Sequence, residues 1–272
     1  MREKIAFIGA GKMASAIVRG LIKNKVYMPD QIFCTCGDDS SGKLLASETG
    51  ISLVDSFTSH LNEIEFLVLA CKPQQLRELN LEDFKNREAF NIAIISILAG
   101  IDTLTLKKYF KNNECIIRTM PNMPGQIGLG CTAYCSSKIL DQATKENLGL
   151  ILNALGSTYL VDEKDMDAIT ALSGSGPAYI FEFISALING GINIGLSESI
   201  AKKLAIETAF GSISLLKNST LEVNELRDSI SSKGGTTEAA LNSLKYNSFQ
   251  NIIIDAIEKA KLRSEEISKG CI

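Results

Sequence analysis

Lys4-Ile5-Ala6-Phe7-Ile8-Gly9-Ala10-Gly11-Lys12-Met13-Ala14 decides how the rest of the chain is read. Strand-forming residues run without a break into a G-x-G-x-x-A turn, and the turn opens a helix-forming run, Met13 to Lys23. In that setting the two glycines let the backbone turn sharply and approach a pyrophosphate, whose charge meets the unpaired N–H groups at the helix start. Ala14 allows the helix to pack closely on the strand. Strand, turn and helix in this order mark a dinucleotide site, and they assign Gly9, Ala10, Gly11, Lys12 and Met13 to the cofactor.

Outward from that turn, short apolar runs alternate with helical stretches as far as residue 161. The strand candidates are Lys4 to Ile8, Gln31 to Cys36, Glu65 to Ala70, Asn91 to Ser96, Glu114 to Thr119, Cys131 to Cys135 and Ser157 to Val161. Alternation of this kind predicts an α/β fold with a doubly wound, Rossmann-type parallel sheet over residues 1–161. Beyond Asp162 the β-branched runs stop. Apolar positions then recur at helical spacing through Asp165 to Leu172, Ala178 to Ile194, Ser197 to Lys217, Glu222 to Ile230 and Asn247 to Ile267, so residues 162–272 read as an all-helical domain. Ser219-Thr220-Leu221-Glu222 reads as a capping box opening one of these helices. Ala178 to Ile194 is apolar around most of its circumference, and a domain this small has limited means to bury such a helix. A second subunit is therefore expected to cover part of it, giving a homodimer or higher homo-oligomer.

The composition narrows the function classes. Hydrophobic residues are 45% and charged residues 22% of the 272, enough for a core and unlike a disordered chain. A net charge of −3 with dispersed Lys and Arg gives no basic face for nucleic acid, and apolar runs such as Ile92 to Ala99 are too short to cross a bilayer. Met1-Arg2-Glu3-Lys4 lacks the pattern of a secretory signal, which places the protein in the cytoplasm. Seven scattered cysteines read as reduced thiols; Cys34 with Cys36, and Cys131 with Cys135, have loose metal spacing, but His60 is the sole histidine and no metal is expected. A single histidine outside any motif also argues against a Ser-His-Asp or Cys-His catalyst.

Two more segments fall at carboxyl ends of strands, where open α/β sheets bind ligands. Thr35 and Cys36 end the second strand and are assigned to the cofactor; the following Asp38 and Asp39 can bind a ribose or simply shape a turn, and Lys43 can serve a phosphate, so NADH and NADPH both stay open. Ala70, Lys72 and Pro73 follow the Glu65 strand and face cofactor or substrate, the alternative being a surface lysine before a helix-opening proline. In the helical half, Ser173-Gly174-Ser175-Gly176-Pro177 joins two helices, and Ser231-Ser232-Lys233-Gly234-Gly235-Thr236-Thr237 opens another in a way suited to a carboxylate.

Taken with Lys72-Pro73-Gln74 and Arg118-Thr119-Met120-Pro121-Asn122-Met123-Pro124, these stretches resemble, in order and spacing, the pyrroline-5-carboxylate reductase family. The resemblance covers nearly the whole chain. It implies a Rossmann domain, a helical domain that interlocks two subunits, a site between them, and reduction of a cyclic imine to L-proline by NADPH or NADH. It further implies that the nicotinamide lies over Met120, Pro121 and Asn122, and that Lys72 lines the cofactor side as part of the catalytic machinery. The substrate carboxylate would be held around Ser232, Gly234, Gly235 and Thr236, with Ser175 on the substrate and the Thr237 hydroxyl on the ring nitrogen. An imine already protonated on nitrogen accepts hydride without a strong general acid, which suits a chain with no catalytic histidine. One departure stands out: Lys233 occupies a position where the family usually has proline, giving up a fixed φ and adding a positive charge.

Two other readings compete. A β-hydroxyacid dehydrogenase shares the layout but resembles its relatives in carrying a catalytic lysine on the long helix, and this chain has no lysine, arginine or histidine between Ser173 and Ala201. A non-catalytic nucleotide-binding relative is the second, and Lys233 is the feature that suggests it.

Overall fold

The computed structural model describes residues 4–37, 40–79, 92–111 and 113–270. Asp38, Asp39, Asn91 and Cys271 of the sequence reading lie outside the described residues. The chain forms two compact units, Met1–Ser175 with Ala260–Ile272, and Gly176–Lys259.

The first unit is built on strands β1 (Lys4–Ile8), β2 (Ile32–Thr35), β3 (Ser52–Leu53), β4 (Ile64–Leu69), β5 (Ala93–Ser96), β6 (Ile116–Met120), β7 (Gly130–Ser136) and β8 (Gly156–Leu160). They form one sheet in the order β3-β2-β1-β4-β5-β6-β7-β8. Helices α1 (Lys12–Lys23), α2 (Ser41–Thr49), α3 (Thr103–Tyr109) and α4 (Gln142–Asn153) intervene. Strands covered on both faces read as near-continuous apolar runs, and alternate residues feed opposite cores. Ile5, Phe7, Phe66, Val68 and Ile95 pack with Ile17 and Leu21 of α1 and with Leu148, Ile151 and Leu152 of α4. Ala6, Ile8, Leu67, Leu69 and Ile94 pack on the other face with Leu106 and Phe110. Asp102 and Asp141 cap α3 and α4 by accepting the amides of Thr105 and Thr144 at 2.6 and 2.9 Å.

Six strands run parallel as expected, whereas β7 is antiparallel to β6 and β8 follows β7. The reason is the connection: the nine residues Pro121 to Leu129 hold one short 3-10 turn, too little chain for the crossover a parallel return requires. Strand β3 spans two residues, too few to leave a period in the sequence.

After β8 a short helix α5 (Met166–Ile169) runs into a π-type turn, Thr170–Gly174, so the Asp165-to-Leu172 helix of the sequence reading is broken here. The second unit holds α6 (Gly176–Asn193), α7 (Glu198–Asn218), α8 (Val223–Ser229), α9 (Thr236–Tyr246) and the start of α10 (Phe249–Gly270). Ala201 and Ala205 of α7 are buried, and an added Cβ on Gly191 would lie 3.0 Å from Ala201 Cβ, so α6 and α7 meet closely through small residues. Helix α8 is capped differently from the sequence reading: its cap is Glu222, whose N–H donates to Glu225 at 2.8 Å, while Ser219 accepts from Leu221 at 3.0 Å in the preceding turn. A hydroxyl four residues ahead of the helix serves a turn rather than the first helical amides.

No residue of α6 is buried within the chain; Phe181 is 60% exposed, and Ile194 just past the helix end is 82% exposed. Residues 163–193 are also, by length and composition, a helical stretch apolar enough to cross a membrane. This corrects the expectation drawn from contiguous apolar runs, which misses a stretch where small residues separate the large ones. An interface helix between subunits passes the same test.

The six described cysteines are free thiols. Burial, with repulsion from the neighbouring Cys36 second, pushes the Cys34 thiol up from 9.0 to about 12, and burial followed by Glu163 pushes Cys135 up to about 11. Up to about pH 8 both thiols are neutral in the folded chain and mostly protonated in the unfolded one, where a minor, reactive thiolate fraction is present. Above it the unfolded thiols lose protons that the folded ones keep until about 11 to 12, so stability falls as pH rises through that window. We expect iodoacetamide at pH 8 to spare Cys34 and Cys135 in the native protein and to label both in denaturant. Native labelling of either, read by peptide mass, would contradict the burial described.

Candidate functional site

The sheet order reverses direction beside β1, with β2 on one side and β4 on the other, and the carboxyl ends of these strands frame the crevice where such sheets hold nucleotides. Three of the assigned segments meet there. Gly9 donates its N–H to the Thr35 carbonyl at 2.8 Å, and Ala70 donates to the Ile8 carbonyl at 2.8 Å. Gly9 has φ +104°, and a Cβ there would lie 2.7 Å from the Ala70 carbonyl oxygen, so the turn and β4 are held at backbone contact. Ala10 is buried, and its carbonyl accepts the Ser15 hydroxyl at 3.2 Å.

Gly11 is the N-cap of α1, with no side-chain cap bond and no acid in the first turn. The amides of Lys12, Met13 and Ala14 therefore lack helical acceptors. A Cβ on Gly11 would meet nothing within 4 Å. A helix start with free amides, no competing carboxylate and open space over its cap glycine fits the pyrophosphate of a dinucleotide. Lys72 caps the short turn Pro73–Arg77, its backbone N–H donating to Gln75 at 2.9 Å, and its side chain is exposed. Cys36 follows β2, half-buried.

Met120 ends β6, and Pro121 and Asn122 follow it. The Asn122 carboxamide is engaged internally: Nδ2 donates to the Ser173 carbonyl at 3.2 Å and to Ser173 Oγ at 3.3 Å, and Oδ1 accepts the Cys131 N–H at 2.9 Å. Ser175 sits at the end of the π-type turn, its N–H donating to the Thr170 carbonyl at 2.9 Å. Arg118, with 5% of its side chain exposed, pairs with Glu163 at 3.7 Å and Asp167 at 3.3 Å. Glu163 in turn accepts the Thr103 N–H and hydroxyl at 2.7 and 2.6 Å, and Asp167 accepts the Ser264 hydroxyl of α10 at 2.8 Å. Sequence reasoning missed Thr103, Glu163 and Ser264, and it placed Ser173 in a motif without its pairing to Asn122, because partners so far apart in the chain carry no local pattern.

In the second unit, Ser232 to Gly235 form the tight turn before α9, which Thr236 and Thr237 open. Gly235 donates to the Ser232 carbonyl at 3.0 Å, Gly234 takes φ +75°, and Gly235 is the N-cap, without a side-chain cap bond. The amides of Thr236 and Thr237 open the helix and lack helical acceptors. The Gly234 N–H donates to the Glu238 carboxylate at 2.7 Å, so one amide of this turn already holds a carboxylate. Lys233 leaves the turn closed despite lacking the ring of proline.

A pyrroline-5-carboxylate reductase of Synechocystis is 35% identical over 271 residues, spanning 99% of this chain and 100% of that protein. The chain belongs to the pyrroline-5-carboxylate reductase family. Solved structures agree: the Plasmodium falciparum pyrroline carboxylate reductase with NADP bound superposes with a TM-score of 0.86 at 32% identity, covering 98% of each chain. The Coxiella burnetii pyrroline-5-carboxylate reductase gives 0.87 at 31%, covering 98% of this chain and 99% of that one. Residues 163–267 match the family model described as pyrroline-5-carboxylate reductase dimerisation, and residues 4–100 match the one described as NADP oxidoreductase, coenzyme F420-dependent. Membership in the pyrroline-5-carboxylate reductase family thus gives the exposed apolar helix α6 a reason, since it lies within the dimerisation match.

Proposed function

We propose that the chain reduces 1-pyrroline-5-carboxylate to L-proline, the last step of proline biosynthesis, with NADPH or NADH as hydride donor. Full-length similarity to pyrroline-5-carboxylate reductases carries this reading, because it spans both the cofactor turn and the Ser232-to-Thr237 turn. Cofactor binding is assigned to residues 1–161, and substrate binding with dimerisation to residues 162–272, in a homodimer or larger homo-oligomer in the cytoplasm.

A bound nicotinamide supplies the hydride. The protein's own part is to bind and orient. Gly9, Ala10, Gly11, Lys12 and Met13 receive the pyrophosphate at the start of α1; Thr35 and Cys36 border the ribose; Ala70, Lys72 and Pro73 border the cofactor edge with Met120, Pro121 and Asn122. With the Asn122 carboxamide committed to Ser173 and Cys131, its contact to a cofactor falls to the backbone. The amides around Ser232, Gly235 and Thr236 hold the substrate carboxylate, that of Gly234 joins them once the Glu238 carboxylate it now serves gives way, and Ser175 borders the ring. The Thr237 hydroxyl hydrogen-bonds the ring nitrogen and fixes the imine carbon for attack.

Thr237→Ala is expected to lower turnover by roughly 10- to 100-fold, the worth of one hydrogen bond to a charged group, with cofactor affinity and Tm unchanged. Parent-like turnover in steady-state assays would remove Thr237 from the ring nitrogen.

A further inference from the structure

The loop at the end of β6 and the π-type turn ahead of α6 are fastened to each other at two points. Asn122 makes the first, giving both Nδ2 bonds to Ser173 while Oδ1 takes the Cys131 amide from β7. Met120 makes the second, because its Cε lies where a Cβ on Gly174 would have to sit. The turn itself is shaped for this meeting. It has the wider π-type hydrogen bonding, closed by Ser175 N–H to the Thr170 carbonyl at 2.9 Å, and the Thr170 hydroxyl bonds back to the Met166 carbonyl at 2.8 Å. Irregular turns of this type inside helices carry a cost that a sequence keeps where it needs the displaced backbone.

We infer that Asn122 is a positioning residue for hydride transfer: its carboxamide locks the cofactor-side loop Met120–Asn122 to the Ser173–Ser175 turn, fixing the donor's distance from the imine carbon. The inference rests on the function proposed above. Asn122 acts through Ser173 and the loop backbone, and its side chain touches neither the reacting carbon nor the hydride. Transfer of hydride is steep in distance, so a loop shifted by a fraction of an ångström lowers the chemical step without lowering binding. Neither a cofactor contact nor a purely structural role gives that pattern.

Two variants test it. Asn122→Ala removes all three bonds; Asn122→Asp keeps the acceptor for Cys131 and the shape, and replaces donation to Ser173 by a carboxylate oxygen that the Ser173 carbonyl repels. Both are measured in the full-length protein with pyrroline-5-carboxylate and with nicotinamide cofactor deuterated at the transferred position. The expected result is a kcat lower by about tenfold in both, KM values for both substrates within about threefold of the parent, and a larger deuterium isotope effect on kcat as hydride transfer becomes limiting. Asn122→Asp is expected to fold, with a Tm no lower than that of Asn122→Ala. Unchanged kcat and isotope effect, a loss confined to cofactor affinity, or failure of Asn122→Asp to fold would each overturn the assignment. An inactive parent that binds nucleotide would overturn the proposed function and the inference with it, whereas an active parent with indifferent variants overturns the inference alone.

Discussion

Arg118→Met is expected to cost about 3 kcal/mol of folding stability, a fall in Tm of roughly 6 to 12 °C for a chain this size. Methionine nearly matches the volume, so the loss is electrostatic: Glu163 and Asp167 are left facing each other beside a buried strand without the guanidinium that serves both. The effect sits at the low end of what breaking a buried pair costs, because Glu163 and Asp167 keep 34% and 23% of their side-chain exposure and stay partly hydrated. Adding Glu163→Gln and Asp167→Asn to Arg118→Met should recover part of the loss, since the uncompensated charges disappear while Thr103 and Ser264 keep acceptors. A Tm within about 2 °C of the parent for Arg118→Met, by calorimetry, would mean that the network contributes little.

Gly11→Val and Gly9→Ala should fail in opposite ways. Gly11 already has φ −64° and ψ 178°, ordinary values for any residue, and a Cβ there meets no protein atom, so the valine variant is expected to fold with the parent's Tm. Its branches project over the start of α1, where the pyrophosphate must approach, and kcat/KM for the nucleotide is expected to fall on the order of 100-fold. Gly9→Ala meets a φ of +104° and the Ala70 carbonyl at 2.7 Å, so it forces β1 and β4 apart and lowers Tm before any question of binding arises. Calorimetry and nucleotide titration on the pair separate the roles. Equal nucleotide affinity in Gly11→Val and the parent would move the cofactor away from this turn.

These contrasts mark what was legible in the sequence. The β1 turn could be read because strand, glycines and helix are neighbours in the chain, and the structure keeps them adjacent. The helical character of the second half was legible from its 3.6-residue period, and the exposed face of α6 from its apolar residues all round. The reversal at β7 was not, because strand direction is set by the nine residues that connect β6 to β7 and leaves no mark on the apolar pattern of Cys131 to Cys135. The π-type turn was hidden inside a stretch that keeps helical spacing. Arg118 was visible as part of a motif, but nothing local says that it meets Glu163 and Asp167, or that Ser264 near the far end of the chain completes the set. At the substrate turn the residue types could be read, whereas the engagement of the Gly234 amide by Glu238 required coordinates.

The central claim is tested most directly by mixing the purified protein with pyrroline-5-carboxylate and NADPH or NADH, and following both loss of reduced nicotinamide and formation of L-proline. The expected result is one L-proline formed per nicotinamide oxidised, with at least one of the two cofactors. Tight nucleotide binding with no L-proline from either cofactor would contradict the account and leave the chain a non-catalytic member of its family.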